Sequence, residues 1–193
     1  MRGLQEWEGA NVLPLFTTSP LDIVDAPADE KHTGRARRMP PCFIYLHATG
    51  GKNSLSWLTT ESVPPVSCHR LIAKDGTIYK IVPDELEAWT QGFGVLGARG
   101  PGLPMNCNRD GLSIEFENMD DGKDPYPAIQ LLSGARQVFE WHGLYGFLPI
   151  LGHADVDTRK KDPAGFPWNI WYGLLVTLYR GIHWTTLRDR QDP

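Results

Sequence analysis

Two histidines and an aspartate, His47, His153 and Asp162, are the residues whose types could assemble a metal site. Two imidazoles and one carboxylate give zinc three ligands and leave a fourth position for water, the pattern of a hydrolytic site. His47 closes the apolar run "CFIYLH", and His153 follows the apolar run "FLPIL". Asp162 lies nine positions after His153 in "GHADVDTRKKDPAGFPW", residues 152–168, a helix-poor stretch with three carboxylates, three cations and two prolines. Solvation of a polar loop accounts for those charges. It does not account for a histidine delivered to an edge by what reads as a buried strand. A histidine at a strand end also suits a satisfied structural role, so types and spacing alone leave the metal reading open. A second chemistry, a cysteine nucleophile with its base, is suggested by the neighbours Cys68 and His69. Adjacent residues on a strand point to opposite faces, so this pair is badly placed to share a proton.

The elements that must position these groups are legible from periodicity. Residues 42–47 follow Pro-Pro and read as the first buried strand. "HRLIAKDGTIYKIV", residues 69–82, is two β-rich runs around Asp-Gly, which predicts a hairpin. "GLSIEFEN", residues 111–118, alternates Leu112, Ile114 and Phe116 with Ser113, Glu115 and Glu117. One face of that strand is apolar and the other carries two carboxylates, and alternation does not choose between Glu115 and Glu117. Residues 127–145 show amphipathic helical spacing opened by a proline, and a second helix is expected from about Asn169 to Arg180. Strands interleaved with helices predict a single α/β domain, with a central mixed β-sheet flanked by α-helices. Residues 17–41, rich in proline and charge, read as part of an N-terminal arm over 1–41, leaving 42–193 as the catalytic domain. The glycine-rich stretch 92–108 reads as a loop over the groove.

Composition excludes several classes. The chain has 193 residues, 41% hydrophobic, which suits one well-filled core. A net charge of −4 offers no basic excess for nucleic acid. The longest apolar stretches, such as "WYGLLVTLY", fall short of the roughly 20 residues that cross a bilayer, so no membrane insertion is expected. The first residues lack the apolar core of a secretion signal, and three widely spaced cysteines suit reduced thiols, so synthesis in the cytoplasm is expected. A monomer is expected.

Five segments in order resemble the zinc-dependent N-acetylmuramoyl-L-alanine amidases, the family that includes T7-type phage lysozymes, cytoplasmic muropeptide-recycling amidases and peptidoglycan recognition proteins. They are "YLHATGG", "VSCHRLIAKDGTIYKIVP", "EAWTQG", "NRDGLSIEFEN" and "GHADVDTRKKDPAGFPW", within residues 42–172. The resemblance implies that His47, His153 and Asp162 bind Zn2+, that Glu115 is the catalytic carboxylate and that Lys160 is the cation beside the metal. It implies a peptidoglycan or muropeptide substrate cleaved between N-acetylmuramic acid and L-alanine. A lytic, endolysin-like role on the cell wall is the expectation. The alternatives are recycling of soluble anhydro-muropeptides, or a binding module without catalysis. Two departures stand out: Thr90 occupies a place where relatives often have histidine, and Cys68 one where T7-like members have tyrosine.

Overall fold

The computed structural model describes residues 23–91 and 107–188, the side chains of 181–188 excepted. Among the described residues eight strands form two sheets. The larger is built from β1 (Ile23–Asp25), β3 (Phe43–Ala48), β4 (Arg70–Ile72), β5 (Ile78–Lys80), β7 (Gly111–Phe116) and β8 (Ile150–Gly152), in the order β1-β5-β4-β7-β3-β8. All neighbours run parallel except the β4–β5 hairpin. The smaller sheet pairs β2 (Thr33–Ala36) with β6 (Leu86–Ala88). The α-helices among the described residues are α1 (Cys107–Asp110), α2 (Ala128–Tyr145), α3 (His153–Val156) and α4 (Trp168–Arg188), and Trp57–Glu61 forms a short π-helix. The expected mixed sheet with flanking helices is what forms.

Alternation along the central strands divides the core in two. Ile44 and Leu46 of β3, with Leu112, Ile114 and Phe116 of β7, pack against Leu131, Ala135, Val138 and Trp141 of α2 and against Trp171 and Leu175 of α4. The opposite face carries Tyr45 with Cys107 and Val156, and beside them Leu58, Cys68, Leu71, Ile81 and Val82. Both faces are covered, as a parallel sheet requires, so every residue of β7 is buried, Glu115 included.

Two expectations meet differences. Residues 23–36 are woven into the fold: β1 lies parallel to β5, and β2 lies against β6. The boundary between arm and domain at 41/42 is therefore not a break in the structure. Strand β1 is exposed throughout, so it carries no inward alternation that a pattern search could detect. Helix α4 runs to Arg188 rather than ending near Arg180, because extending a formed helix adds one hydrogen bond per residue. Residues 92–106, most of the expected groove loop, lie outside the described residues.

The contact of α2 with the sheet is tight at Gly134, where an added Cβ would sit 2.5 Å from Cζ of Phe116. In an exposed helix, glycine to alanine gains about 1 kcal/mol. Here overpacking, typically about 1–3 kcal/mol, opposes it. Gly134→Ala is expected to lower the stability measured by urea unfolding, and a stabilised variant would show the contact to be slack.

Candidate metal centre and active-site cleft

Register places the chemistry in one row. His47 of β3 pairs with Glu115 of the parallel neighbour β7. On the other side of β3, Leu46 pairs with Gly152, and His153 follows as the first residue of α3. Side chains level with one another on parallel neighbours share a face, so Glu115, His47 and His153 meet at the carboxyl ends of three adjacent strands. Asp162 completes the group from the following loop. Its carbonyl accepts the N–H of Ala154, which ties the two segments together.

Three polar atoms converge there. Nδ1 of His47 lies 3.1 Å from Nδ1 of His153 and 3.1 Å from Oδ2 of Asp162, while Nδ1 of His153 lies 3.0 Å from the same oxygen. Relative exposures of 1%, 4% and 9% for His47, His153 and Asp162 leave little water to screen them. This nitrogen, nitrogen and oxygen donor set fits zinc, and neutral imidazoles are what it requires. Burial pushes the pKa of His47 down to about 4, partly offset by Asp162, so its imidazole is neutral at physiological pH. Burial alone would raise Asp162, but hydrogen bonds from His153 and His47 hold it below the usual carboxylate range.

The triad forms part of the wall of a cleft of about 550 Å³, together with Ala48, Val66, Thr90, Glu115, Asp120 and the three cations Arg159, Lys160 and Lys161. Glu115 is buried, and its Oε2 has no hydrogen-bond partner among the described residues. Burial, reinforced by Asp162 and Asp120, raises its pKa well above the usual carboxylate range. Glu117 goes elsewhere. Its Oε1 accepts the N–H of Asn53, and it lines a separate cleft with Asn53, Ser54 and Lys74. Geometry therefore separates the two carboxylates that alternation could not.

The three adjacent cations all line the cleft but differ in their partners. Arg159 forks onto the carboxylate of Asp157, with contacts of 2.8 and 2.6 Å, and Lys161 donates to the carbonyl of Asp120 at 2.6 Å. The charge of Lys160 acts on both Glu115 and His47. Thr90 bonds to the carbonyl of Ser67 and to the hydroxyl of Ser113, which in turn meets Nδ1 of His69. His69 is thus engaged away from Cys68. Burial drives the Cys68 thiol well above its ordinary pKa, so the pair lacks both the thiolate and the base that a cysteine hydrolase needs.

The family model for N-acetylmuramoyl-L-alanine amidase matches residues 37–165. The chain belongs to this amidase family. The 1,6-anhydro-N-acetylmuramyl-L-alanine amidase AmpD of Enterobacter cloacae is 30% identical over 119 residues, and the match spans 58% of each chain. A crystal structure of a selenomethionine AmpD derivative shares the fold with a TM-score of 0.67 at 22% identity, over 81% of this chain and 96% of that one. The Ph2119 endolysin of a Thermus scotoductus bacteriophage does so with a TM-score of 0.59 at 18% identity, over 79% of this chain and 98% of that one.

Sequence reasoning was silent on Asp120, which lines this amidase cleft. The available signal was its place four residues beyond the end of β7, on the edge that receives Glu115.

The pKa of His47 sets a pH dependence. Its folded value lies below its unfolded value near 6.5, so the unfolded chain binds the extra proton between about pH 6.5 and pH 4. Its contribution to stability is present above pH 6.5 and is lost as pH falls through the folded value. Across that window the metal-free protein is expected to lose up to about 3 kcal/mol from this group, with His69 acting in the same direction and Glu115, whose raised pKa adds stability as pH falls, acting against it. Urea unfolding of chelator-treated Glu115→Gln protein, in which the opposing carboxyl is removed, checks this at several pH values, and a flat profile from pH 7 to 4.5 would contradict it.

Proposed function

We propose that the chain is a zinc-dependent amidase that hydrolyses the bond between the lactyl group of N-acetylmuramic acid and L-alanine of the stem peptide. The observation that carries this reading is the row of Glu115, His47 and His153, closed by Asp162, on one cleft wall. In this reading His47 and His153 bind zinc through Nδ1 and Asp162 binds it through Oδ2. A zinc ion held by these three residues would supply Lewis acidity, acidifying a water and polarising a carbonyl. Glu115 takes the proton of the attacking water and returns it to the nitrogen of L-alanine, since an amide does not expel an unprotonated amine. Its raised proton affinity suits both transfers. The Lys160 ammonium stabilises the oxyanion that develops on the lactyl carbonyl, a role worth about 2–4 kcal/mol for comparable donors.

Glu115→Gln is expected to keep its zinc and lose about 100-fold or more in turnover. Zinc by elemental analysis and turnover on a muramyl peptide check this, and a worse defect in Glu117→Gln would move the acid-base role two residues along the chain. Lys160→Ala is expected to lose about 100- to 1,000-fold in kcat, and unaltered turnover would remove it from the reaction.

The same bond occurs in wall polymer and in soluble fragments. We adopt the polymer as substrate and a bacteriolytic role. The cleft opens to solvent at the strand ends, which admits a stem peptide still attached to its glycan, and a bacteriophage endolysin shares the fold. Among the described residues no helix is long and apolar enough to cross a membrane. The 30% identity to an anhydro-muramyl amidase favours a second reading, recycling of soluble anhydro-muropeptides. Incubation with purified sacculi and with soluble anhydro-muropeptides separates the two by mass. Release of stem peptides with free L-alanine amino groups from sacculi is the expected result. Cleavage of soluble fragments with sacculi left intact would establish the second reading.

A further inference from the structure

The segment after β7, "ENMDDGKDP", turns back against the loop that carries Asp162 and Lys160. Asn118, fully buried, anchors this turn: its amide donates to the carbonyl of Asp124 at 2.9 Å, and its Oδ1 accepts the N–H of Asp120 at 2.9 Å. Asp120 takes a left-handed φ of 53°. From there Oδ1 of Asp120 accepts the N–H of Ala164 at 2.7 Å, and its carbonyl accepts Nζ of Lys161 at 2.6 Å. Asp162 is thus suspended between two contacts to one residue, made one position before it and two positions after it. Gly165 and Gly122 meet backbone to backbone just beyond, where a Cβ at 165 would come within 3.1 Å of the Gly122 Cα.

We infer that Asp120 is a positioning residue for the metal centre, holding the carboxylate of Asp162 on the two histidines by gripping both sides of its loop. The inference rests on the zinc reading above and adds a residue that acts through another rather than on substrate. Partners of this kind typically contribute about 10- to 100-fold in metal affinity. Asparagine keeps the acceptor oxygen and tolerates the left-handed backbone, whereas glycine tolerates the backbone and lacks the acceptor.

The test measures the zinc dissociation constant by chelator competition, the visible spectrum of the cobalt-loaded protein and the Tm of the metal-free protein. Asp120→Gly is expected to bind zinc about 10- to 100-fold more weakly, with an altered cobalt spectrum, while Asp120→Asn stays within about threefold of the parent. A purely structural role would lower the metal-free Tm and leave zinc affinity in place. Should Asp120→Gly fail to fold, Lys161→Met, at an exposed side chain, carries the test and is expected to weaken zinc by about threefold or more. Parent-like zinc affinity in Asp120→Gly, or in Lys161→Met where that variant stands in, overturns the inference. So does a loss in Asp120→Asn equal to that in Asp120→Gly. A parent that binds no zinc fails the metal reading itself and takes the inference with it.

Discussion

Three electron-rich atoms from residues 47, 153 and 162 have to stay about 3 Å apart in a place that water barely reaches. Nothing in their own chemistry brings them there, since two imidazole nitrogens and a carboxylate oxygen attract one another only through shared protons or a cation. The surrounding scaffold must supply the convergence. Strand β3 does most of it by lying between β7 and β8, so that one level of the sheet carries Glu115, His47 and His153 side by side. Because side chains alternate along a strand, slipping β7 or β8 by one residue would turn its member of the row to the helix-covered face. The register is fixed by Ile44, Leu46, Leu112, Ile114 and Phe116, which bury against α2 and α4. The core on one face of the sheet therefore determines the chemistry on the other.

That division explains what could be read in the sequence. His47 and His153 end apolar runs, and the alternation of β7 assigned Glu115 to the face away from the helices. These are local patterns with a local cause. The choice between Glu115 and Glu117 was not local. Both sit at the same parity, and only the end of β7 at Phe116 sends Glu117 to Asn53 and a different cleft. The choice among Arg159, Lys160 and Lys161 depended on where Asp157 and Asp120 lie, which no spacing reveals. Strands β1 and β2 escaped notice because they are short and largely exposed, so burial left no periodic imprint on them.

The departures from the family pattern are absorbed by hydrogen bonding. Thr90, where relatives often have histidine, spends its hydroxyl on Ser67 and Ser113. Through Ser113 it joins His69, whose other ring nitrogen reaches the carbonyl of Leu86. A shorter side chain at position 90 is thus held against the cleft wall by the network.

Charge ties Glu115 to the triad. Asp162 and Asp120 oppose the ionisation of Glu115, Lys160 favours it, and the two histidines bring no charge of their own while neutral. Burial adds to this opposition, and the proton affinity of Glu115 is raised above the ordinary carboxylate range. A divalent cation held by the triad acts in the opposite sense, since a bound cation is the largest local charge in such a site. The electrostatic coupling of Glu115 to the triad thus follows from burying one glutamate beside the aspartate that completes the donor set.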